Sequence, residues 1–311
     1  MKRSWLAAIL CLCLSLTVLA ACKTQEKAPD PVVYPVTIGG IRLTKAPTSV
    51  ICLSPSLTEI LFDMRYQSAI VGVSEFCIYP EAATTLPQMG TAAEPNLEEI
   101  AGLKADLILT QEPLTVRTMT ELEKKGIPVL VLNAATTLEE LETLYQQLGM
   151  IFEGKDPGVA KGTTLYQKVI TQITKAKVAI DAIGPVKALL LMDRSGYFAT
   201  GDTFAGRFLS AMGLENSAQE GVDYTLSTAQ LSALDPNLIL TDGLDKAALA
   251  SVTSIAKVAE KDDVQVLPIP LDAMTGQGLR IGTLAKDIAA FLLPESSELS
   301  SATVPSAAGG S

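Results

Sequence analysis

A segment of this chain is repeated, and the repeat constrains the fold more than any other feature of the sequence. The stretch NLEEIAGLKADLILT at residues 96–110 aligns without a gap with STAQLSALDPNLILT at residues 227–241. In both copies a helix-start signal precedes an amphipathic segment, and a turn containing Asp or Pro leads into the apolar run LILT. The repeat therefore predicts one helix-turn-strand unit in each of two similarly built lobes.

Short apolar runs alternate with longer amphipathic segments along the chain. The short runs are rich in Val, Ile and Leu, which is typical of strands covered on both faces. They lie at residues 49–53, 70–73, 107–110, 129–132, 187–192, 238–241 and 264–267. Helical patterns lie at residues 57–64, 97–103, 115–125, 203–212, 227–234, 246–259 and 279–293. This alternation predicts an α/β fold with parallel sheets in two Rossmann-like lobes.

A long amphipathic segment separates the two sets of strands. The apolar residues on its predicted face recur at spacings of three and four, and they are Leu165, Val169, Ile173, Ala176 and Ile180. We therefore predict an N-terminal α/β lobe at residues 47–155, a single interlobe helix at residues 156–184 and a C-terminal α/β lobe at residues 185–293.

The first residues resemble an export signal. Lys2 and Arg3 precede an uncharged apolar stretch, and LAAC follows at residues 19–22. Small residues before a cysteine resemble the lipobox of a bacterial lipoprotein. We predict a signal peptide at residues 1–21 and lipid attachment at Cys22, with an ordinary signal peptide as the alternative. The protein is then expected on the extracytoplasmic face of a bacterial membrane, at the cell surface or in the periplasm.

Two further segments are predicted to lie outside the lobes. Residues 22–46 are interpreted as the lipid anchor and a polar, Pro-rich tether. Residues 294–311 hold too few apolar groups to offset the entropy of ordering them, which predicts a disordered tail.

Charge argues against nucleic acid as a partner. The chain has 24 basic and 34 acidic residues, and removal of Lys2 and Arg3 leaves 22 against 34, a net charge of −12. No basic cluster remains, whereas nucleic-acid-binding proteins carry a basic patch or stripe.

The residue inventory also disfavours catalysis. The chain has no histidine, which removes Ser-His-Asp and Cys-His catalysis and histidine metal sites. No dinucleotide fingerprint or Walker-type loop occurs. Of the cysteines, Cys52 and Cys77 remain after the predicted lipidation site, and a buried Cys52 thiol is favoured over a disulfide. We expect neither an enzyme nor a cofactor.

Ligands of parallel sheets gather beyond the carboxyl ends of the strands. If two such lobes face each other, those ends line a shared cleft, and the loops there are rich in aromatic residues. The candidate ligand-binding residues are Ser56, Phe76, Tyr79, Gln111, Arg194, Tyr197, Phe198, Tyr224, Asp242 and Met274. Such a set suits a large, partly apolar ligand carrying some negative charge. The alternatives are that the aromatics only cover the sheet ends and that Ser56 caps a helix, with Glu59 at the capping-box spacing.

Five segments resemble, in this order, the substrate-binding lipoproteins of ABC importers for cobalamin, ferric siderophores and haem. They are VICLSPSLTEILF, VGVSEFCIYP, PNLEEIAGLKADLIL, GIPVLVL and GDTFAGRFLSAMGLEN, which begin at residues 50, 71, 95, 126 and 201. The resemblance implies two lobes joined by one long helix, a cleft that binds one metal chelate, and small hinge motion. It also implies an ABC permease and its ATPase as partners.

The same resemblance suggests docking residues. In that family an acidic residue on each lobe docks to arginines of the permease, and Glu98 matches the first of them. Ala229 occupies the equivalent position in the second copy of the repeat, so either Glu220 or Asp223 substitutes, or docking is asymmetric. A first-turn acid favoured by the helix dipole is the alternative interpretation of Glu98.

The ligand class stays open at this point. The segment FCIYP at residues 76–80 favours a corrinoid. Haem would need a Tyr or Met ligand, and anionic siderophores favour several arginines, of which Arg194 alone is placed at the cleft. The hypothesis is a monomeric, lipid-anchored receptor that delivers a metal chelate to a permease. A ligand sensor or surface scaffold that retains the fold without transport is the alternative.

Overall fold

The part of the chain that the computed structural model describes, residues 33–293, begins with a β-hairpin. Its antiparallel strands are β1 (Val36–Ile38) and β2 (Ile41–Leu43). Gly39 and Gly40 connect them with φ of 53° and 80°, the left-handed backbone that a two-residue hairpin turn requires. Val36 and Ile38 are buried in the core. The predicted tether at residues 22–46 is therefore wrong for residues 36–43, because these apolar side chains pack on the lobe.

Two four-stranded parallel sheets form the centres of the two lobes. The first contains β3 (Val50–Cys52), β4 (Ile70–Val73), β5 (Leu107–Thr110) and β6 (Val129–Val131), in the spatial order β4-β3-β5-β6. The second contains β7 (Lys187–Leu191), β8 (Glu215–Asn216), β9 (Leu238–Asp242) and β10 (Gln265–Ile269), in the order β10-β9-β7-β8. Numbered within each lobe, both sheets run 2-1-3-4, so the repeated segment builds the same helix and third strand twice.

Helices follow the strands in both lobes. The first lobe has α1 (Pro55–Asp63), α2 (Glu81–Thr84), α3 (Leu97–Leu103), α4 (Val116–Lys124) and α5 (Leu138–Glu153). The interlobe helix α6 is Lys155–Ile183. The second lobe has α7 (Phe204–Ala211), α8 (Thr228–Ser232), α9 (Lys246–Leu249), α10 (Ala256–Ala259), α11 (Leu271–Thr275) and α12 (Arg280–Leu292). The predicted α/β fold with two parallel-sheet lobes joined by a long helix is confirmed.

Helix α6 is the structural link between the lobes. It packs against α5 on the first-lobe side and against α12 on the second-lobe side. The five apolar residues predicted for one face, from Leu165 to Ile180, are all buried. The core of the molecule is therefore continuous from one lobe to the other along this helix.

One predicted helix is wrong. Residues 246–259 form two separate short helices, α9 and α10, instead of one. The intervening residues include Ser251, Val252, Thr253 and Ser254, which are poor helix formers. Ser251 Oγ donates a hydrogen bond to the carbonyl of Ala248 at 2.7 Å, the kind of local bond that competes with helix continuation.

No helix within residues 33–293 is both long and apolar enough to cross a membrane. The predicted signal peptide, Cys22 and the predicted tail at residues 294–311 lie outside the residues that the structure describes.

Candidate functional site

The carboxyl end of β3 leads directly into helix α1, and Ser54 caps that helix. The Ser54 hydroxyl accepts a hydrogen bond from the backbone N–H of Leu57 at 3.3 Å, and Pro55 occupies the first helical turn, where its missing N–H costs nothing. The interpretation of Ser56 as the cap is therefore wrong. Ser56 lies one residue inside the helix and is buried, with 7% of its surface exposed.

Ser54 also reaches across the sheet to the end of β5. Its hydroxyl donates to Gln111 Oε1 at 2.7 Å. In a 2-1-3-4 sheet the chain leaves strand 1 on one side and strand 3 on the other, which opens a crevice between their carboxyl ends. The Ser54–Gln111 hydrogen bond spans this crevice, so Ser56 and Gln111 lie where the topology places a ligand.

Two adjoining cavities lie at this crevice. One, of about 330 Å³, is lined by the ends of β3, β4 and β5, including Ser56, Phe76 and Gln111, and by Thr275 of the second lobe. The other, of about 210 Å³, contains Tyr79 and lies between the two lobes, against α11 and the start of α12. Both cavities include Ser56, Phe76 and Thr275. The structure thus brings together four of the predicted residues.

A charged cluster lines the second cavity. Arg280 Nε and Nη2 donate to the two carboxylate oxygens of Glu59 at 3.0 and 2.6 Å, and Arg280 Nη1 donates to Asp272 Oδ2 at 2.6 Å. Burial raises the pKa of Glu59, while the hydrogen bonds from Arg280 oppose the rise. Because Glu59 belongs to the first lobe and Arg280 to the second, this ion pair joins the lobes.

Arg280 also positions an aromatic residue of the cleft. Its guanidinium carbon lies 3.7 Å from the centre of the Tyr79 ring, within the range of a cation–π contact. Arg280, Glu59 and Asp272 were not predicted as site residues. Their pairing joins positions far apart in sequence, so no local motif signals it.

The predicted residues of the second lobe lie apart from the two cavities. Arg194, Tyr197, Tyr224 and Asp242 are exposed, and none of them lines either cavity. The Tyr224 backbone has a φ of 63°, and its carbonyl accepts from Phe198 N at 2.7 Å. Arg194 and Tyr197 follow β7, Tyr224 follows β8, and Asp242 is the last residue of β9.

Two further residues predicted to contact a ligand have buried side chains. Phe198 has 1% of its surface exposed and packs in the core of the second lobe beside Leu189 and Ile239. Met274 also has 1% exposed and lies in the large core that extends between the lobes. Alternation of polar and apolar residues is weak in these loops, so the sequence did not distinguish inward from outward side chains.

The two thiols of the described region are free and buried. Thr58 Oγ1 lies 3.3 Å from Cys77 Sγ, and burial raises the pKa of Cys52 to about 12. The predicted buried thiol at Cys52 is confirmed.

Glu98 is the residue predicted to dock to a permease. It lies in the first turn of α3 with its side chain exposed. In the second lobe, Ala229 lies in the first turn of α8, where Ser227 and Gln230 form a capping box. Gln230 Nε2 donates to the Glu220 carbonyl at 2.7 Å, which brings exposed Glu220 beside this helix end.

Comparison with known proteins agrees with this architecture. The family model described as "Periplasmic binding protein" matches residues 50–268. A cobalamin-binding protein of Halobacterium salinarum is 30% identical over 243 residues, which are 75% of this chain and 63% of that relative. The alignment thus spans less than two thirds of the relative. YvrC of Bacillus subtilis is named as an ABC transporter substrate-binding lipoprotein. It is 25% identical over 305 residues, and the alignment covers 91% of this chain and 96% of YvrC.

A solved structure shares the fold. A periplasmic heme binding protein of Pseudomonas aeruginosa superposes with a TM-score of 0.65 at 24% sequence identity. The match covers 80% of this chain and 94% of the heme binding protein.

Proposed function

The chain belongs to the periplasmic binding protein family, and on that premise we propose that it is an extracytoplasmic receptor that captures a corrinoid for an ABC importer. The observation that carries the proposal is the pair of cavities at the interlobe crevice, which combine aromatic side chains with polar donors. Cobalamin binding by the halobacterial relative supports the same ligand class. Haem and ferric siderophores are the other chelates to be tested.

Exposed apolar side chains at the crevice suit a large ligand. Phe76 is 63% exposed and Ile78 is 70% exposed, and both line the cavity between the lobes beside Tyr79. Exposed apolar side chains that cluster in one groove mark an interaction or ligand-binding site. An aromatic and aliphatic wall of this kind suits the flat, partly apolar face of a macrocycle.

The charge of the crevice favours a neutral ligand over an anionic one. Three acidic side chains line the cavities, namely Glu59, Glu112 and Asp272, against the single base Arg280. Arg280 is already paired with two of these carboxylates. Carboxylate-bearing haem and anionic siderophores would meet net negative charge here, whereas a corrinoid carries neutral carboxamides at its rim. Arg194 would serve an anionic ligand only if it reached the cleft from its exposed position.

Membrane attachment and delivery complete the proposal. Lipid on Cys22 would hold a monomeric receptor at the membrane, with several acyl chains needed for stable anchoring. Exposed Glu98 would dock to the permease, which its ATPase partner drives. Glu220 is the stronger candidate for the second docking acid, since it is exposed beside the end of α8.

Thermal-shift measurements with cyanocobalamin, cobinamide, hemin and a ferric siderophore test the ligand class. A ligand at 100 times its dissociation constant stabilises the folded state by about 2.7 kcal/mol. We expect a clear rise in Tm with the two corrinoids. A response confined to hemin or the siderophore would contradict the corrinoid assignment.

Uptake by a reconstituted permease separates transport from sensing. The receptor should stimulate corrinoid uptake into proteoliposomes that hold the partner permease and ATPase. Binding without stimulated uptake would favour the sensor or scaffold, the alternative motivated by Ala229.

A further inference from the structure

Two hydrogen-bond donors at the crevice have no partner among residues 33–293. They are the Ser56 hydroxyl and the Gln111 side-chain amide nitrogen, and both are buried. Ser56 lines both cavities, and Gln111 lines the larger one. A buried donor without an acceptor is costly. A ligand that supplied acceptor atoms at this place would remove that cost.

The orientation of Gln111 follows from its neighbour. The Ser54 hydroxyl accepts from Leu57 N at 3.3 Å and donates its proton to Gln111 Oε1 at 2.7 Å. The Gln111 side chain thus places its oxygen against the Ser54 hydroxyl and its NH2 group away from it, which leaves that nitrogen as the free donor.

The surroundings define which acceptor fits. Among the side chains that line the two cavities, the only cation is Arg280, and its guanidinium is occupied by Glu59 and Asp272. Glu112 follows Gln111 directly and adds negative charge at the larger cavity. Two neutral donors without a free cation suit a neutral oxygen acceptor better than a carboxylate.

We propose that Ser56 and Gln111 form a donor subsite that binds a carboxamide oxygen of the captured ligand. The proposal deepens the corrinoid assignment and rests on it. Ser56 moves its hydroxyl between staggered positions by rotation of one torsion angle, so the buried oxygen can turn toward a ligand in either cavity. Gln111 is held by its hydrogen bond from Ser54, and its side chain lines the larger cavity. The subsite thus selects neutral amide groups at the rim of a macrocycle.

Calorimetric titration of Ser56→Ala with cyanocobalamin tests the subsite. We expect affinity to fall about three- to ten-fold, the size of one neutral hydrogen bond. The ligand-free variant should be as stable as the wild type or more stable, because its buried hydroxyl has no partner to lose. Ser254→Ala is the matched control, since Ser254 Oγ is also buried without a partner among the described residues and lines neither cavity.

A second variant and a second ligand series complete the test. Gln111→Glu keeps an oxygen for Ser54 but replaces the donor with a carboxylate, and we expect weaker binding of cyanocobalamin than in Ser56→Ala. Among the monocarboxylic acids made by mild hydrolysis of cyanocobalamin, at least one should bind the wild type more weakly than the parent does.

The outcomes separate this subsite from the proposed function. If the wild type binds cyanocobalamin and both Ser56→Ala and Gln111→Glu bind it with the same affinity, the subsite is overturned. The receptor assignment would remain. Equal weakening by Ser56→Ala and Ser254→Ala would also overturn it. If the wild type binds no corrinoid, both proposals fail together.

Discussion

Asp106 and Asn237 occupy the same place in the two copies of the repeat and perform the same task with different chemistry. Asp106 Oδ2 accepts hydrogen bonds from the N–H and the hydroxyl of Thr48, both at 2.8 Å. Asn237 Oδ1 accepts from Lys187 N at 2.6 Å. Each side chain fastens the start of its lobe's first strand to the turn before the third strand. The repeat is therefore conserved in structure at a position where the residues differ.

Substitution of Asp106 tests this equivalence. Asp106→Ala should lower the free energy of unfolding by about 1–2 kcal/mol, as loss of a capping side chain does. Asp106→Asn keeps one acceptor, as Asn237 does, and should retain most of the stability. Urea denaturation at neutral pH measures both, and an Ala variant as stable as the wild type would contradict the role.

The pH dependence of Asp106 has a defined sign. The backbone N–H of Thr48, and then its hydroxyl, lower the pKa of this carboxyl group. A lowered folded-state pKa contributes stability above the ordinary Asp range, and this contribution is lost as pH falls through the lowered pKa. The Asn variant should therefore lose less stability than the wild type on acidification.

At the scale of single residues, the sequence predicted the site only in part. Ser56, Phe76, Tyr79 and Gln111 line the two cavities, and the sequence could bring them together because they follow strands whose ends can be located from apolar runs. The lobe-joining ion pair of Glu59 and Arg280 was missed, since residues separated by 221 positions meet only in the folded molecule.

Glycines determine how closely α5 and α6 approach each other. A Cβ atom on Gly158 would lie 2.3 Å from Met150 N, and one on Gly162 would lie 2.4 Å from Gln146 Cα. Both distances are to backbone atoms, which cannot give way without shifting a helix. The helices of this pair therefore contact backbone to backbone, and the long helix is fixed against the first lobe.

Alanine at these positions should destabilise the protein. We expect Gly158→Ala and Gly162→Ala each to lower the free energy of unfolding by about 1–3 kcal/mol through overpacking. Gly102→Ala in α3 is the control, because a Cβ there meets nothing within 4 Å, and it should gain about 0.5–1 kcal/mol from helix propensity. Thermal unfolding followed by circular dichroism compares them. Stabilisation by all three substitutions would contradict the close packing.

Elements were predicted best where periodicity was uninterrupted. The strands β4 and β5 and the helix α3 have the predicted bounds. Helix α5 was not predicted, although Leu141, Leu144 and Leu148 recur along its buried face. The hairpin β1–β2 is not predictable in this way, because each of its strands is only three residues long, too short for a clear alternation of polar and apolar residues.

Besides α6, residues 277–279 of the second lobe form hydrogen bonds with the first lobe. Gln277 exchanges hydrogen bonds with both backbone groups of Ala135, at 3.1 and 2.7 Å, and Leu279 N donates to Asp63 Oδ2 at 2.7 Å. Gly276 and Gly278 permit this approach to α1. These contacts lie beside the cavity between the lobes, so they limit how far the lobes can move apart. Small hinge motion, implied by the resemblance, is consistent with this arrangement.

The Arg280–Glu59 ion pair also joins the two lobes. Glu59 is 2% exposed, so Arg280→Met would leave a buried carboxylate without its cation. Loss of one partner of a buried pair costs about 3–5 kcal/mol. The variant should also lose cyanocobalamin affinity, because Tyr79 loses the guanidinium that it stacks on.

The pH dependence of Arg280→Met distinguishes the buried charge from a simple loss of packing. Burial raises the pKa of Glu59, and without Arg280 nothing of comparable strength opposes the rise. A raised folded-state pKa means that the native state binds the proton more tightly, so stability falls as pH rises above the ordinary Glu range. The deficit of Arg280→Met should therefore grow as pH rises above the ordinary Glu range, and adding Glu59→Gln should remove that growth. A deficit independent of pH would show that the Arg280 side chain acts by packing alone.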